Sequence, residues 1–311
     1  MLLIITPNPA LDRTMVFHGL RLGGVFRTDE VIIAAGGKGL NVARAARSLG
    51  QPALVCAPLG GLTGDAVARL AAAEGLAGRW TRHHAGETRT CVLVVDRAAS
   101  DATALNEAGP ALSADDWRAF TEDVLAAAAG AELCLVSGSL PPGIAPAALG
   151  SLVAALTAHG ARTIVDSSGP ALVAALAAQP WGVKVNGAEL GAALGRVVED
   201  VPGAVAALAE LRAAGVALAA VSLGALGCVA ADASGVSWAR PPAVRVVSSV
   251  GSGDSLLAGL ATGLIRGMAL PEALRLAVAC GTADVLTIGG GRIDPDELAR
   301  LQAAVWLGRP A

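Results

Sequence analysis

Residues 251–254 are the part of the sequence most suited to chemistry, because two glycines lead into the first turn of an apolar helix and an acid follows them. The first N–H groups of a helix have no partner inside it and lie at the positive end of its dipole. Gly251, Ser252 and Gly253 can therefore bring backbone N–H groups close to a phosphate. Asp254 would lie beside the bound anion, where a carboxylate can accept a proton from a hydroxyl group that attacks phosphorus. The alternative is a glycine-rich turn in which Asp254 only caps the helix.

A second glycine-rich segment, residues 35–43, also leads into a predicted helix. It is not a Walker A loop, because the glycine and the Ser or Thr that this motif requires around Gly-Lys are missing. No Gly-x-Gly-x-x-Gly run opens a helix after a strand, so a dinucleotide-binding fold lacks its main motif. Lys38 and Asn41 can reach a phosphorylated or polyhydroxylated ligand. Asp12, which follows the first predicted strand, could accept hydrogen bonds from sugar hydroxyls or could be a turn aspartate.

The elements that position these residues follow from an alternation of short β-rich segments with alanine-rich segments. This alternation predicts strands joined by helices, and hence a mostly parallel sheet covered on both faces. The predicted strands are Leu2–Ile5, Ala53–Ala57, Leu133–Val136, Arg162–Val165, Val183–Val185, Ala217–Val221, Cys228–Ala231 and Val244–Val247. The predicted helices are Leu40–Leu49, Ala114–Ala128 with Ser113 as N-cap, and one that starts near Pro271.

Polar or glycine-rich residues follow five of these strands, at 137–139, 166–168, 186, 222–224 and 251–254. Ligands of a parallel sheet bind at the carboxyl ends of its strands. We therefore expect one site at this edge of the sheet.

Two segments, about 13–34 and 87–106, do not fit the layered core, because each contains short β-like runs with alternating polar residues. They predict a small separate sheet. A small isolated sheet is marginally stable in water, so it is expected to pack as a lid over the site or against a second subunit. The alternative is a pair of long surface hairpins.

Composition limits the classes of function. The chain has 311 residues, 54% of them hydrophobic, and a net charge of -3 without a clustered basic face, which argues against a nucleic-acid partner. Uncharged runs at 133–158 and 213–231 are broken by proline or glycine, so no membrane partner is expected. The amino terminus has no signal-peptide pattern, and the five widely spaced cysteines are interpreted as reduced core residues. A cytoplasmic location is predicted.

The two glycine-rich segments together resemble the paired signatures of the ribokinase-like (PfkB) carbohydrate kinases. These signatures are Gly36-Gly37-Lys38-Gly39-x-Asn41-Val42-Ala43 and Val250-Gly251-Ser252-Gly253-Asp254-Ser255. Further motifs resemble the phosphofructokinase and tagatose-6-phosphate kinase branch: 8–12, 86–89, 137–143, 166–168 and 222–224. The resemblance extends over nearly the whole chain.

This resemblance implies an α/β fold: a three-layer α/β/α core with a mostly parallel sheet, plus a small β-sheet lid that often forms a dimer. It implies one kinase domain over residues 1–311 that uses ATP and Mg²⁺ to phosphorylate a sugar phosphate. By matching position, the catalytic base is Asp254 and the anion hole comprises Gly251, Ser252 and Gly253. The sugar would be held by Asp12, Gly37, Lys38 and Asn41, and its phosphate by Arg89 and Ser139, with Arg27 as a weaker candidate. The nucleotide would face Lys184, Asn186, Ser222, Gly224 and Gly227. Mg²⁺ would be organised, through water, by Asn186 and Glu189.

Two positions depart from the family pattern. Val185 replaces the proline of the usual Lys-Pro-Asn element, which leaves its polar residues in place. Ser248 stands where many members have an Asp that helps to bind a monovalent cation, so potassium activation is not expected.

The substrate is predicted to be fructose 1-phosphate, with fructose 6-phosphate and tagatose 6-phosphate as alternatives. Alternatives from other classes are a nonenzymatic sugar-phosphate sensor on the same fold and a serine hydrolase that uses Ser255 as its nucleophile. The hydrolase motif lacks its context, because no histidine follows His159.

Overall fold

Strands and helices alternate along most of the chain in the computed structural model, which describes residues 1–99 and 101–310. The strands are β1 (Leu2–Ile5), β2 (Ala10–Phe17), β3 (Val31–Gly36), β4 (Ala53–Leu59), β5 (Ala77–Arg82), β6 (Thr90–Asp96), β7 (Asp101–Asn106), β8 (Leu133–Ser137), β9 (Thr163–Asp166), β10 (Gly182–Asn186), β11 (Leu218–Ser222), β12 (Cys228–Asp232), β13 (Gly235–Arg240) and β14 (Trp306–Gly308). The helices are α1 (Lys38–Ser48), α2 (Gly61–Ala73), α3 (Ala114–Ala128), α4 (Ala147–Ala158), α5 (Gly169–Ala177), α6 (Gly187–Leu194), α7 (Val201–Ala213), α8 (Ser252–Ile265), α9 (Leu270–Asp284) and α10 (Pro295–Ala304).

The larger sheet of the described residues has ten strands in the order β14-β13-β12-β11-β10-β9-β8-β1-β4-β5. From β11 to β5 every neighbouring pair is parallel, whereas β12, β13 and β14 add an antiparallel edge. This arrangement confirms the predicted mostly parallel α/β sheet. The carboxyl ends of the parallel strands therefore meet at one edge.

Alternate side chains of the central strands pack into two separate hydrophobic cores, one on each face of the larger sheet. In β1, Leu2 and Ile4 face the core shared with α1, α2, α8, α9 and α10, while Leu3 and Ile5 face the core shared with α3 to α7. Successive side chains of a strand point to opposite faces, so one apolar run supplies both cores. The predicted three-layer α/β/α core is confirmed.

One strand prediction, Val244–Val247, is wrong. Residues 241–247 have no regular structure, and Val246 and Val247 are exposed. Pro241 and Pro242 begin this segment and cannot donate backbone hydrogen bonds to a sheet. The chain is held instead by a hydrogen bond from the Val247 backbone N–H to the Val285 carbonyl, 2.7 Å long. The other predicted strands and helices are confirmed, with ends that differ by at most two residues.

The smaller sheet has the strand order β3-β2-β6-β7, which confirms the separate sheet predicted from segments 13–34 and 87–106. Its strands extend further than predicted, since β2 begins at Ala10 and β3 ends at Gly36. Asp12 therefore lies inside β2, between Ala34 of β3 and Cys91 of β6, and the turn interpretation of this residue is wrong.

The five cysteines are free thiols, as predicted. Four are buried, whereas Cys91 is half-buried in the smaller sheet. Within residues 1–99 and 101–310, no helix has both the length and the apolar character needed to cross a membrane.

Close packing of α8 against α9 positions the residues at the start of α8. Gly259 and Gly263 of α8 face α9, and a Cβ atom on Gly259 would lie 2.8 Å from the Ala277 Cα and 2.9 Å from the Cys280 Sγ. Side chains larger than hydrogen cannot fit there unless the helices separate. This contact fixes the position of α8, which carries Asp254 in its first turn.

We predict that Gly259→Ala lowers the free energy of unfolding by about 1–3 kcal/mol, because the added methyl group overpacks the contact between the helices. Alanine has the higher helix propensity, by about 1 kcal/mol, so a purely local effect would have the opposite sign. Chemical denaturation measures the change. Gly130→Ala is the control, because nothing lies within 4 Å of the added Cβ. Equal stability of the two variants would contradict the close contact.

Candidate active site

A cavity of about 530 Å³ lies where the smaller sheet faces the carboxyl ends of the larger sheet. Residues from β2, β3, β6 and β7 line one side of it, and residues from α1, β9, β10, β11 and the start of α8 line the other. Four of the five segments predicted to form one site therefore contribute to the cavity, those at 166–168, 186, 222–224 and 251–254, whereas residues 137–139 do not line it.

The start of α8 provides a binding surface made of backbone. Gly251 is the N-cap residue, with φ 96° and ψ -14°, and no side chain caps the helix. A Cβ atom on Gly251 would overlap with the Cα of Gly290, so both the backbone conformation and the available space require glycine. Gly251, Ser252 and Gly253 line the cavity. The first turn of α8 can therefore bind an anion through N–H groups and the helix dipole.

Asp254 lines the cavity although only 5% of its surface is exposed. Its Oδ2 accepts a hydrogen bond of 2.9 Å from the side-chain amide of Asn41. Burial, together with the charge of Asp166, raises the pKa of Asp254 to about 7, against the opposing effects of Lys38, Asn41 and Lys184. A carboxyl group with this pKa can exchange a proton near neutral pH.

Asp166, at the end of β9, lines the cavity and forms ion pairs with two lysines that also line it. Its Oδ1 lies 2.9 Å from the Lys38 Nζ, and its Oδ2 lies 3.0 Å from the Lys184 Nζ. Burial alone would raise the pKa of Asp166, but the two ammonium groups lower it below the usual value. The sequence indicates that Asp166 lies at the edge of the sheet, but it indicates no role for this residue. The feature that could have indicated a role is its position, since an acidic side chain ends a buried apolar strand.

The same ion pairs determine how the lysines face the cavity. Lys184 lines it, but its ammonium group is held by Asp166 and its side chain is only 4% exposed. Lys38 is more open, with 38% side-chain exposure, and its Nζ also lies 3.4 Å from Glu189 Oε1. Burial alone would lower the pKa of Lys38, but Asp166, Asp254 and Glu189 together raise it. Lys38 is thus the more accessible cation for a bound ligand.

Asp12 and Gly37 lie at the junction of the smaller sheet and α1. The Gly37 N–H donates to Asp12 Oδ2 at 3.4 Å, and any Cβ atom on Gly36 would overlap with the Asp12 carboxyl group. Burial raises the pKa of Asp12 to about 6, although the Gly37 hydrogen bond and nearby arginines lower it. The carboxyl group faces the cavity on the side opposite the larger sheet. It can accept hydrogen bonds from hydroxyl groups of a ligand.

The residues predicted to hold a substrate phosphate are only partly brought together. Arg89 lines the cavity and donates to three backbone carbonyls, those of Asn8 (2.9 Å), Glu107 (3.2 Å) and Pro9 (3.4 Å). Ser139 and Arg27 are exposed and lie outside the cavity lining. The Ser139 Oγ accepts a hydrogen bond of 3.3 Å from Asn8, the residue whose carbonyl Arg89 contacts, so these two predicted residues share one neighbour.

The residues predicted to face a nucleotide lie at the ends of β10 and β11. Asn186 is the N-cap of α6 and forms a capping box with Glu189, and both line the cavity with Ser222 and Gly224. Gly227 is buried and does not line the cavity. Its φ is 90°, and a Cβ atom there would overlap with the Ala239 carbonyl oxygen, so this glycine allows β12 and β13 to approach each other. Within the described residues, no group of three or more His, Cys, Asp or Glu side chains could hold a metal ion.

Comparison with known proteins decides the family. Residues 8–297 match the pfkB family carbohydrate kinases. The chain belongs to this family. It is therefore an ATP-dependent sugar kinase, which confirms the family and the activity predicted from the glycine-rich segments.

The chain is also similar to individual phosphofructokinases in sequence and in structure. The chain is 39% identical to a 1-phosphofructokinase of Rhodobacter capsulatus, over 97% of this chain and 95% of the relative. It is 36% identical to a 1-phosphofructokinase of Escherichia coli K12, over 97% and 96%. Its fold matches the crystal structure of Escherichia coli phosphofructokinase-2 in complex with substrates and products, with a TM-score of 0.91 and 33% identity over 97% of this chain and 98% of the other. The phosphofructokinase branch is confirmed.

Ser255, the nucleophile of the hydrolase alternative, is fully buried in α8. No histidine is among the described residues that line the cavity. A nucleophilic serine needs access to substrate and a nearby base. The structure therefore argues against the hydrolase interpretation.

We predict that Asp254→Asn stabilises the protein at pH 8 but not at pH 4, by on the order of a few kcal/mol. The folded state keeps the Asp254 proton up to about pH 7, whereas the unfolded state loses it near pH 3.8. The unfolded wild type therefore binds fewer protons than the folded wild type in this interval, and wild-type stability falls as pH rises. The Asp254→Asn variant has no carboxyl group at this position, so its free energy of unfolding does not fall with pH for this reason.

Chemical denaturation across this pH range measures the difference, with Asp29→Asn, at an exposed loop position, as the control. A stability difference that does not grow between pH 4 and pH 8 would contradict the raised pKa.

Proposed function

We propose that this protein transfers the terminal phosphoryl group of ATP to the free primary hydroxyl of fructose 1-phosphate and forms fructose 1,6-bisphosphate. The observation that carries the proposal is the position of Asp254, a buried carboxyl group at the start of α8 beside a backbone anion site and inside the cavity. The relatives named 1-phosphofructokinase support the choice of sugar.

Asp254 acts as the general base in this proposal. The sugar hydroxyl donates its proton to Asp254 as its oxygen attacks the terminal phosphorus of ATP. Gly251, Ser252 and Gly253 offer backbone N–H groups to the transferring phosphoryl oxygens, whose negative charge the helix dipole stabilises. Phosphoryl transfer depends mainly on positioning and charge stabilisation, both of which this helix start supplies.

The sugar lies between the two sheets. Asp12 accepts hydrogen bonds from its hydroxyl groups, and Asn41 forms hydrogen bonds with them. Gly37 allows the sugar to approach the backbone at the start of α1. Lys38 contributes positive charge near the reacting groups. Arg89 binds the phosphate already on the sugar, since a guanidinium group matches phosphate geometry. Arg27, between β2 and β3, and Ser139, after β8, would meet the sugar phosphate only if the smaller sheet closed toward the larger sheet.

The nucleotide lies along the ends of β10 and β11, against Asn186, Ser222 and Gly224. Lys184 supports this side indirectly through Asp166, and Gly227 through the backbone contact with β13. Asn186 and Glu189, which both line the cavity, would hold Mg²⁺ through water, because Mg²⁺ usually keeps several waters and takes its other ligands from phosphates. When bound, Mg²⁺ supplies charge neutralisation of the phosphates.

The same proposal includes one kinase domain over residues 1–311, a cytoplasmic location and a homodimer formed through the smaller sheet. Ile33 of β3 is 42% exposed and Leu105 of β7 is 58% exposed, so the two edge strands of this sheet present apolar side chains. Pairing with a second copy would cover them.

We predict that the purified protein releases ADP with fructose 1-phosphate at a higher kcat/KM than with fructose 6-phosphate or tagatose 6-phosphate. A coupled ADP assay over the three sugars measures the ranking. Asp254→Asn should lower kcat with fructose 1-phosphate by about 10²–10⁴-fold, because the proton acceptor is lost. Preference for another sugar would overturn the substrate, and sugar binding without ADP release would instead support a sensor.

We predict that Arg89→Ala raises the KM for the sugar phosphate much more than the KM for ATP, because only the sugar phosphate loses a charged partner. Steady-state kinetics with each substrate varied in turn measures the split. Arg97→Ala serves as the control, since Arg97 pairs with Glu30, both side chains are about half exposed, and neither residue lines the cavity. Equal changes in both KM values would remove Arg89 from the phosphate site.

A further inference from the structure

Arg44 is a buried arginine of α1 that sequence analysis did not single out. Its residue surface is only 5% exposed, yet it lines the cavity. An arginine is almost never buried without partners, since its charge cannot be removed by deprotonation. Its contacts should therefore show what it does.

The Arg44 guanidinium group bonds to four different parts of the protein. It forms an ion pair with Glu74, which follows α2. It donates to the Ala35 carbonyl of β3 at 2.6 Å and to the Gly290 carbonyl at 2.8 Å. Its Nη1 also donates to the Asn41 Oδ1 at 3.1 Å. Three of these contacts fix the guanidinium group, and the fourth uses it to hold Asn41.

The orientation of the Asn41 amide matters because its other end contacts Asp254. Nδ2 of Asn41 donates to Asp254 Oδ2 at 2.9 Å, while Oδ1 faces Arg44. An amide carries a donor on one side and an acceptor on the other, whereas a guanidinium group carries only donors. The amide rotated by 180° would place its NH₂ group against Arg44 and its oxygen against the Asp254 carboxylate. Arg44 therefore selects the orientation in which Asp254 receives a hydrogen bond.

We propose that Arg44 is a positioning residue, which holds the Asn41 amide so that its NH₂ group faces the Asp254 carboxylate. This inference rests on the proposed role of Asp254 as the base. It assigns a function to a chain of contacts, Glu74 to Arg44 to Asn41 to Asp254, that begins at α2 and ends at the reacting groups. Arg44 touches no reacting atom itself.

A second contact of Arg44 supports the anion site. The Gly290 carbonyl that Arg44 binds belongs to a segment that packs directly on Gly251, since a Cβ atom on Gly251 would overlap with the Gly290 Cα. Arg44 thus holds, through the Gly290 carbonyl, the segment that packs against the start of α8. Arg44 therefore contacts both Asn41, which bonds to Asp254, and the segment that packs against Gly251.

The orientation of the amide affects the ionisation of Asp254. A hydrogen bond to the carboxylate favours the charged form, whereas an amide oxygen against it favours the protonated form. Loss of the Arg44 contact should therefore raise the pKa of Asp254. The other charged groups that face Asp254 are Lys38 of α1, Asp166 at the end of β9, Lys184 of β10 and Asp284 of α9. None of them contacts Asn41 through a hydrogen bond in the described chain, so their influence on Asp254 should persist without Arg44.

The test measures the Asp254 carboxyl group directly, by ¹³C NMR titration of protein labelled at the aspartate carboxyl carbon. The Asp254 resonance is identified by its absence in Asp254→Asn. Arg44→Lys keeps the positive charge but cannot reach Asn41, Gly290 and Glu74 together, and it should raise the apparent pKa by about one unit. Arg47→Lys, an exposed arginine one turn further along α1, is the matched control and should leave the titration unchanged.

A double-mutant cycle separates positioning from direct charge effects. In an Asn41→Leu background the amide is absent, so Arg44→Lys should add little further shift. An equal shift in both backgrounds, or no shift in the wild-type background, would overturn the proposal. Should Arg44→Lys fail to fold, Glu74→Gln gives a milder test, because it loosens Arg44 from the outside and should produce a smaller shift in the same direction. No shift in that variant would also overturn the proposal.

Kinetics supplies the second readout. The acidic limb of the pH profile of kcat/KM should move to higher pH by the same amount in Arg44→Lys, with activity largely regained above the new limb. A uniformly lower activity with an unmoved limb would indicate a merely structural role and overturn the proposal. A wild-type protein without phosphoryl transfer would instead overturn the proposed function, whereas the NMR titration would still test the position of the amide.

Discussion

Burial of the Asp254 carboxyl group at the positive end of α8 is the constraint on which the rest of the structure depends. Removal from water and the charge of Asp166 favour the neutral acid, while two lysines and the Asn41 amide favour the carboxylate. These opposing effects leave the pKa at about 7. A base with this pKa can accept a proton at neutral pH and release it again after the reaction.

Asp166 makes this balance possible. Two ammonium groups beside Asp254 with no other partner would lower its pKa further, and they would be expensive to bury. Asp166 binds both lysines through its two oxygens, so their charge is shared between two acids. The cavity therefore contains cations that can meet phosphate oxygens without fully neutralising the base. Close contacts at Gly251 and Gly259 hold α8 in place while these charges are balanced.

Much of the fold could be predicted because the pattern is local. Each strand of the parallel sheet is a short apolar run, and the capping box at Ser113 and Asp116 fixes the start of α3 from four adjacent residues. The two glycine-rich segments were readable for the same reason, since a helix start that binds an anion needs neighbouring glycines. Their convergence followed from the rule that strand ends of a parallel sheet meet at one edge.

What the sequence did not reveal depends on contacts between distant residues. Val244–Val247 has the composition of a strand, but the sheet is continued by β12, β13 and β14 instead. The turn interpretation of Asp12 stayed open in the sequence because its partners in the sheet, Ala34 and Cys91, lie far away in the chain. Arg44 resembles any helical arginine until its contacts with Glu74, Asn41 and Gly290 are known. Ion pairing and hydrogen bonding across elements have no local signature.

The most direct test of the central claim is a crystal structure with a non-hydrolysable ATP analogue and fructose 1-phosphate bound together. The account predicts that the terminal phosphate accepts hydrogen bonds from backbone N–H groups of residues 251–253. It also predicts that the free primary hydroxyl of the sugar lies about 3 Å from the Asp254 carboxyl group. A terminal phosphate bound elsewhere in the cavity, or a sugar hydroxyl turned away from Asp254, would contradict it.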